Sequence, residues 1–369
     1  MSEIFIGLMS GTSLDGVDAV VVDFAGHPMR VIGEAFVPYD ADIREQVLTL
    51  QAVGHNELAR SAVLANRLAR CYAGAVAAAL HACRLSASEV RAVVCHGQTI
   101  RHAPQDGYTL QIGNLALLAE LCGIDVIGDV RSRDVAAGGQ GAPLVPAFHQ
   151  ALFACNEVSR VILNIGGIAN LTRLSPGLPV IGFDTGPGNM LLDAWIRRHQ
   201  GQDYDADGAW AASGQCHPAL LTRLLAEPYF AAPLPKSTGR DLFDLPWLDH
   251  HLDAHNHHHG PLGAADVQAT LVALTAHSIA AAIRQVAGEC REIYVCGGGA
   301  RNPVLMQALA LQLPTARIET TASLGLPPQQ VEAAAFAWLG WCFTQRRAAN
   351  LPDVTGAQGF RLLGALYPC

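Results

Sequence analysis

The residues whose types and spacing could do chemistry lie in a few short stretches. The first is Met9-Ser10-Gly11-Thr12-Ser13-Leu14-Asp15-Gly16-Val17-Asp18. Gly11 and Gly16 allow close approach of the backbone to an anion, and Thr12 and Ser13 add hydroxyl donors. Backbone amides in such a loop can converge on a phosphate. The chain has one lysine, Lys236, which excludes a Gly-x-x-x-x-Gly-Lys-Ser/Thr loop. Any nucleotide phosphates must therefore be held without a P-loop lysine.

The second stretch is Gly182-Phe183-Asp184-Thr185-Gly186-Pro187-Gly188-Asn189, after the apolar pair Val180-Ile181 and before the helical run Met190 to Ile196. Asp184 is expected at the carboxyl end of a strand. A carboxylate there, with an ordinary pKa of about 3.9, is ionised at neutral pH and can accept a proton. The alternative is a helix cap, for which Asn189 lies closer to the helix start. In Cys296-Gly297-Gly298-Gly299 the bare backbone could lie against a nucleoside or its phosphates, or simply turn. The glycines at 297–299, 186–188 and 139–141 all miss the Gly-x-Gly-x-x-Gly dinucleotide pattern. His96-Gly97-Gln98-Thr99, Gln111-Ile112-Gly113-Asn114 and Arg131 offer the fixed donors and acceptors a sugar requires, although His96 alone could equally be a satisfied core histidine.

Other stretches carry less. Asp249-His250-His251 and His255 to His259 read as a solvated loop without helical spacing rather than a transition-metal site. Pro235-Lys236-Ser237-Thr238-Gly239-Arg240 mimics part of a Walker sequence but lacks its glycines, and no Gly-x-Ser-x-Gly elbow occurs.

These stretches need elements to position them. The pattern is strands alternating with helices: a hairpin over residues 4–24, a helix from Glu57 to Cys83, and a strand at 90–95. The order recurs as a hairpin at 160–172, a helix from Ala264 to Gly288 and a strand at 292–296, which suggests duplication. Two such α/β domains would put a ligand cleft at the carboxyl ends of their strands. The 369-residue length fits two domains, and 50% hydrophobic with 15% charged residues fits packed cores rather than disorder. The net charge of -8, with scattered arginines and no basic stripe, argues against nucleic acid. Ten cysteines without a Cys-x-x-Cys pair read as free thiols in a reducing compartment. Met1-Ser2-Glu3 lacks the positive start of a signal peptide, and no membrane span is expected.

The ordered motifs Gly7 to Gly16, His96 to Thr99, Gly138 to Pro143, Asn164 to Gly167, Gly182 to Asn189 and Cys296 to Gly299 resemble those of the anhydro-N-acetylmuramic acid kinases, from residue 7 to Pro368. That family belongs to the acetate and sugar kinase, heat-shock 70 and actin superfamily. The resemblance implies two duplicated actin-like, ribonuclease H-like α/β domains with mixed sheets flanking a cleft. The expected division is 1–133 plus about 350–369 for the first domain, and 134–349 for the second. It implies an ATP- and Mg²⁺-dependent kinase that opens the 1,6-anhydro bridge of its amino sugar and phosphorylates O6, giving N-acetylmuramic acid 6-phosphate and ADP in cell-wall recycling. Asp184 matches the base that activates water. Gly11, Thr12, Ser13, Leu14, Asp15, Gly16, Val17 and Asp18 match the first ATP loop. Asn164, Gly166 and Gly167 match the second loop, and Gly297, Gly298 and Gly299 lie at the adenosine. Sugar contacts are expected from His96, Gln98, Thr99, Gln111, Arg131, Asn170, Gly186 and Glu332. The superfamily's usual Asp at the end of the first strand is replaced by Gly7-Leu8-Met9, leaving the metal to Asp15, Asp18 or waters. A cytoplasmic protein acting on small molecules, away from nucleic acid and membrane, follows, with a homodimer left open. A conventional kinase acting on a free sugar hydroxyl and a non-catalytic nucleotide-gated binding module are the alternatives.

Overall fold

The computed structural model describes residues 2–11, 14–26, 28–288 and 290–369. The chain divides into two units, Met1–Leu152 with Gln330–Cys369, and Phe153–Gln329. In the first, β1 (Ile4–Met9) pairs antiparallel with β2 (Gly16–Asp23), and β2 pairs antiparallel with β3 (Arg30–Pro38). β1 also pairs in parallel with β4 (Ala92–Cys95). β5 (Gln98–Ala103) and β6 (Tyr108–Ile112) form a separate antiparallel hairpin. β7 (Val126–Gly128) lies parallel to β4, and the last strand, Ala365–Tyr367, closes its outer edge.

β1 is apolar at nearly every position because both faces of its sheet are covered. Ile6 and Leu8 pack with Leu64, Leu68 and Tyr72 of helix Glu57–Cys83. Gly7 points the opposite way, towards helix Val331–Thr344. A Cβ at Gly7 would lie 1.9 Å from the Ala333 carbonyl oxygen and 2.7 Å from the Ala337 nitrogen, so only glycine lets the helix backbone rest on the strand.

In the second unit β8 (Arg160–Ile165) pairs antiparallel with β9 (Ile168–Leu174), and β9 with β10 (Ile181–Pro187). β8 pairs in parallel with β11 (Glu292–Cys296), and β11 with β12 (Arg317–Thr320). The order β10-β9-β8-β11-β12 repeats β3-β2-β1-β4-β7 with matching strand directions. This is the duplicated mixed α/β, actin-like architecture expected from the sequence. Helix Ala264–Ala287 is long and apolar enough to cross a membrane, but 72% of its apolar window is buried, and Leu271, Leu274, Ile279 and Ile283 belong to this unit's core.

The division falls elsewhere than at 133/134 and about 349/350. Asp134 is fully buried inside the first unit, accepting hydrogen bonds from Gly141 N, Asn350 Nδ2 and Thr355 Oγ1, each at 2.8 Å. The glycine-rich stretch 138–141, just past the expected boundary, therefore wraps an internal carboxylate. Helix Val331–Thr344 joins the first unit through Gly7. The His-rich segment is a helix, Leu245–His259, rather than a loop. Its start is capped by the Asp244 side chain, which accepts from Trp247 N, and Leu248, Leu252 and His255 form its buried face. His251, His255 and His259 do stand four residues apart, yet among the described residues no group of three potential ligands is placed to hold a metal ion.

Candidate active site

Strand register assembles the second unit's polar residues. Cys296 pairs with Asn164, Asn164 with Asn170, and Asn170 with Asp184, so one row crosses β11, β8, β9 and β10. Directly paired residues present their side chains on one face of a sheet. The β9–β10 register shifts between Asp184 and Gly186, placing Asp184 at a bulge before the strand ends.

A clasp surrounds Asp184. Its backbone N–H donates to Lys236 O at 3.1 Å, and its carbonyl accepts the Tyr229 hydroxyl at 2.7 Å. Thr238 N–H donates to Asp184 Oδ2 at 3.1 Å. Burial pushes the carboxyl up to about 6, against the opposing pull of the Thr238 bond. The group stays mainly ionised at neutral pH but is a stronger base than an exposed aspartate. Thr238 Oγ1 is buried and has no partner among the described residues. On the following helix, Met190–Gln200, burial pushes Asp193 up to about 7, with Arg197 and Arg240 opposing the shift.

The glycine turns of this unit meet beside that row. Gly166 and Gly167 join β8 to β9, and a Cβ at Gly188 would lie 2.3 Å from Gly166 O. Gly297 has φ +81°, and a Cβ there would lie 2.3 Å from Asn164 Oδ1. Asn189 occupies the N-cap position of Met190–Gln200, but its side chain makes no cap bond. Its Nδ2 donates instead to Ile165 O at 3.2 Å, bracing the turn.

The first unit gathers a second cluster. Ser10 Oγ donates to Gly97 O at 3.0 Å, His96 Nδ1 lies 3.3 Å from Ser10 O, and Gln98 Nε2 lies 3.4 Å from Gly11 O. Ser10 and Gly11, which follow β1, are thus stitched to the 96–98 turn. Arg131 Nε donates to His96 Nε2 at 3.2 Å, and Arg131 Nη1 to Gly141 O at 2.8 Å. Burial first, and then the Arg131 charge, push His96 down to about 3, so it is neutral, with Nδ1 carrying the proton. Glu332 is pushed up by burial, and the attraction of Arg131 opposes that shift. Gln98 is 1% exposed, and its Oε1 has no partner among the described residues. Gln111 Nε2 donates to Thr99 Oγ1 at 3.2 Å and to Thr109 Oγ1 at 2.8 Å.

The model of the family described as anhydro-N-acetylmuramic acid kinase matches residues 3–369. A relative of that name from Chromobacterium violaceum is 58% identical, with 100% of both chains covered. Those from Bordetella petrii and Pseudomonas paraeruginosa are 55% and 53% identical, covering 99% of this chain and 96% and 98% of theirs. The chain belongs to the anhydro-N-acetylmuramic acid kinase family. Among solved structures, the activator of 2-hydroxyisocaproyl-CoA dehydratase from Clostridium difficile, with bound ADPNP, matches at TM-score 0.46 and 14% identity, over 93% of this chain and 97% of that one. That likeness is too distant to bear on function.

Within this kinase, Asp184, Asn170, Asn164, Gly166, Gly167, Gly186 and Gly297 to Gly299 belong to the second unit. His96, Gln98, Thr99, Gln111, Arg131 and Glu332 belong to the first, where Arg131 links to His96 by hydrogen bonds and to Glu332 by charge. Glu332 was expected in the second domain and moves with helix Val331–Thr344. Gly11 and Leu14 to Asp18 lie at the β1–β2 loop and the start of β2, whereas Thr12 and Ser13 lie outside the described residues. Tyr229 and Thr238, which hold Asp184, were missed by the sequence reading. The lone lysine two residues before Thr238 was the available signal.

Proposed function

We propose that Asp184 is the general base of the reaction that gives the family its name. The protein is an ATP-dependent kinase of 1,6-anhydro-N-acetylmuramic acid in cell-wall recycling. In this reading the Asp184 carboxylate takes a proton from water as the water oxygen bonds to C1. The C1–O6 bond breaks, its electron pair goes to O6, and O6 takes the γ-phosphoryl group as the bond to the β-phosphate oxygen breaks. The products are N-acetylmuramic acid 6-phosphate and ADP. One positioned carboxylate serves both bond changes because the leaving oxygen is itself the phosphoryl acceptor.

The observation that carries this reading is the environment of Asp184: a carboxylate held by Thr238 N–H, with proton affinity raised by burial, in a row with Asn170 and Asn164. The orphaned Thr238 hydroxyl supports a polar neighbour there, such as the attacking water. The glycine turns at 166–167 and 297–299 of the second unit would offer backbone amides to ATP. In the first unit, Arg131 would attract the lactyl carboxylate of the sugar, and the free Gln98 Oε1 would accept from a hydroxyl or amide.

Magnesium commonly needs only one or two protein carboxylates beside the nucleotide's own phosphates, and the exposed Asp15 in the β1–β2 loop and Asp18 on β2 suit that demand. Bound there, the ion would neutralise phosphate charge during transfer. A cytoplasmic location belongs to the same reading, supported by ten cysteines that form no disulfide with one another.

Turnover in ¹⁸O-water tests the reaction. Label at the C1 oxygen of the product, read before anomeric exchange, is expected. Phosphorylation without that label would mean a conventional kinase acting on a free hydroxyl, and absence of any phosphorylated sugar would mean a binding module.

A further inference from the structure

The chain's one lysine folds back on its own loop. Lys236 Nζ donates to Tyr229 O at 3.0 Å and Phe230 O at 2.8 Å, and stands 4.8 Å from the centre of the Tyr229 ring. This ties the short helix Pro228–Ala231 to the segment 236–238. Both ends of the tie touch Asp184. Tyr229 donates its hydroxyl to Asp184 O, Lys236 O accepts from Asp184 N, and Thr238 N–H reaches the carboxylate. The loop is seated on apolar rings, with Phe243 5.7 Å from both Tyr229 and Phe230.

We propose that Lys236 is a positioning residue for Asp184: its ammonium closes the 229–236 loop, so that Tyr229 and Thr238 hold the base at a fixed place and orientation. The assignment rests on the reading of Asp184 as the base. Two carbonyls and an aromatic face satisfy an ammonium better than they would any neutral side chain. Burial lowers the proton affinity of Lys236 and raises that of Tyr229, the latter with help from the Asp184 charge. His277 and Arg284 line the adjoining cavity of about 310 Å³, beside Thr185 and Lys236. Without the tie, the Thr238 hydrogen bond that favours the ionised carboxylate loosens, and the base titrates at higher pH.

The experiment compares full-length wild type, Lys236→Met, Lys236→Arg and Asp184→Asn in ATP-dependent turnover of the anhydro sugar across pH 5–9. Lys236→Met should lower kcat by about 10- to 100-fold, the scale of a misplaced catalytic group. The acid limb of its kcat/KM profile should move up by at least ~0.5 pH unit, with KM for ATP unchanged. Lys236→Arg should recover part of both losses, and it carries the test if the methionine variant does not fold. An unmoved acid limb in a folded Lys236 variant, while Asp184→Asn is inactive, overturns the role of Lys236 and leaves the base in place. Wild-type ring opening by Asp184→Asn instead removes the base, and the role of Lys236 with it.

Discussion

Replacing Asp184 with asparagine should make the enzyme much slower and more stable. In the native state this carboxyl titrates at about 6 rather than its ordinary 3.8, mainly because burial disfavours the charge. A raised native value means that the folded state binds more protons than the unfolded state between those two pH values. Stability therefore falls as pH rises from about 4 to 6, and the loss is complete above 6. At about 1.4 kcal/mol per pH unit, the full cost at neutral pH approaches 3 kcal/mol; allowing for water at a half-buried group, about 2 kcal/mol is expected. Asparagine has nearly the same shape, keeps an oxygen for Thr238 N–H and carries no charge. Denaturant unfolding at pH 7.5 should show Asp184→Asn more stable by about 2 kcal/mol, with the advantage shrinking to a few tenths near pH 4. Asp193, at about 7, lowers stability over the next interval, but it is present in both proteins and drops out of their difference. The same substitution should cost roughly 10²–10⁴ in kcat with KM for ATP preserved. Wild-type kcat/KM should rise with pH, half-maximal near 6 and level above about 7, an acid limb that His96, pushed down to about 3, cannot produce. Equal stability gains at both pH values would refute the desolvated carboxylate, and an unchanged kcat would refute the base.

Three further outcomes follow from other contacts. Gly7→Ala should destabilise the first unit by about 3 kcal/mol or more, because its Cβ meets helix backbone; a thermal midpoint within a degree of wild type would show that the helix can lift. Asp134→Ala removes the acceptor for three buried donors and should cost about 3–5 kcal/mol in denaturant unfolding, whereas a loss below about 1 kcal/mol would mean that water replaces it. Arg131→Leu should raise KM for the anhydro sugar by at least about 10-fold while leaving KM for ATP within about twofold, and an unaltered sugar KM would free Arg131 from substrate recognition.

The sequence by itself determined the local elements and the family. Apolar runs broken by glycine turns specify the two hairpins, and the long helices Glu57–Cys83 and Ala264–Ala287 follow from apolar periodicity within a residue of their ends. Asp184 stood out because a carboxylate beside glycines at a strand end has few structural reasons to be there. Residues held by distant neighbours were not legible. Helix Val331–Thr344 could not be assigned to its unit without knowing that Gly7 leaves room for it. The His-rich segment was misread because its polarity concealed an apolar face seated on the second unit's core. Nothing local joins Thr238 to Asp184, 54 residues away, or Arg131 to His96, 35 away, since those contacts form only when strand register and loop packing place them. The chemistry of each residue is written in its type, but its proton affinity depends on water exclusion and neighbouring dipoles, which exist only in the folded chain.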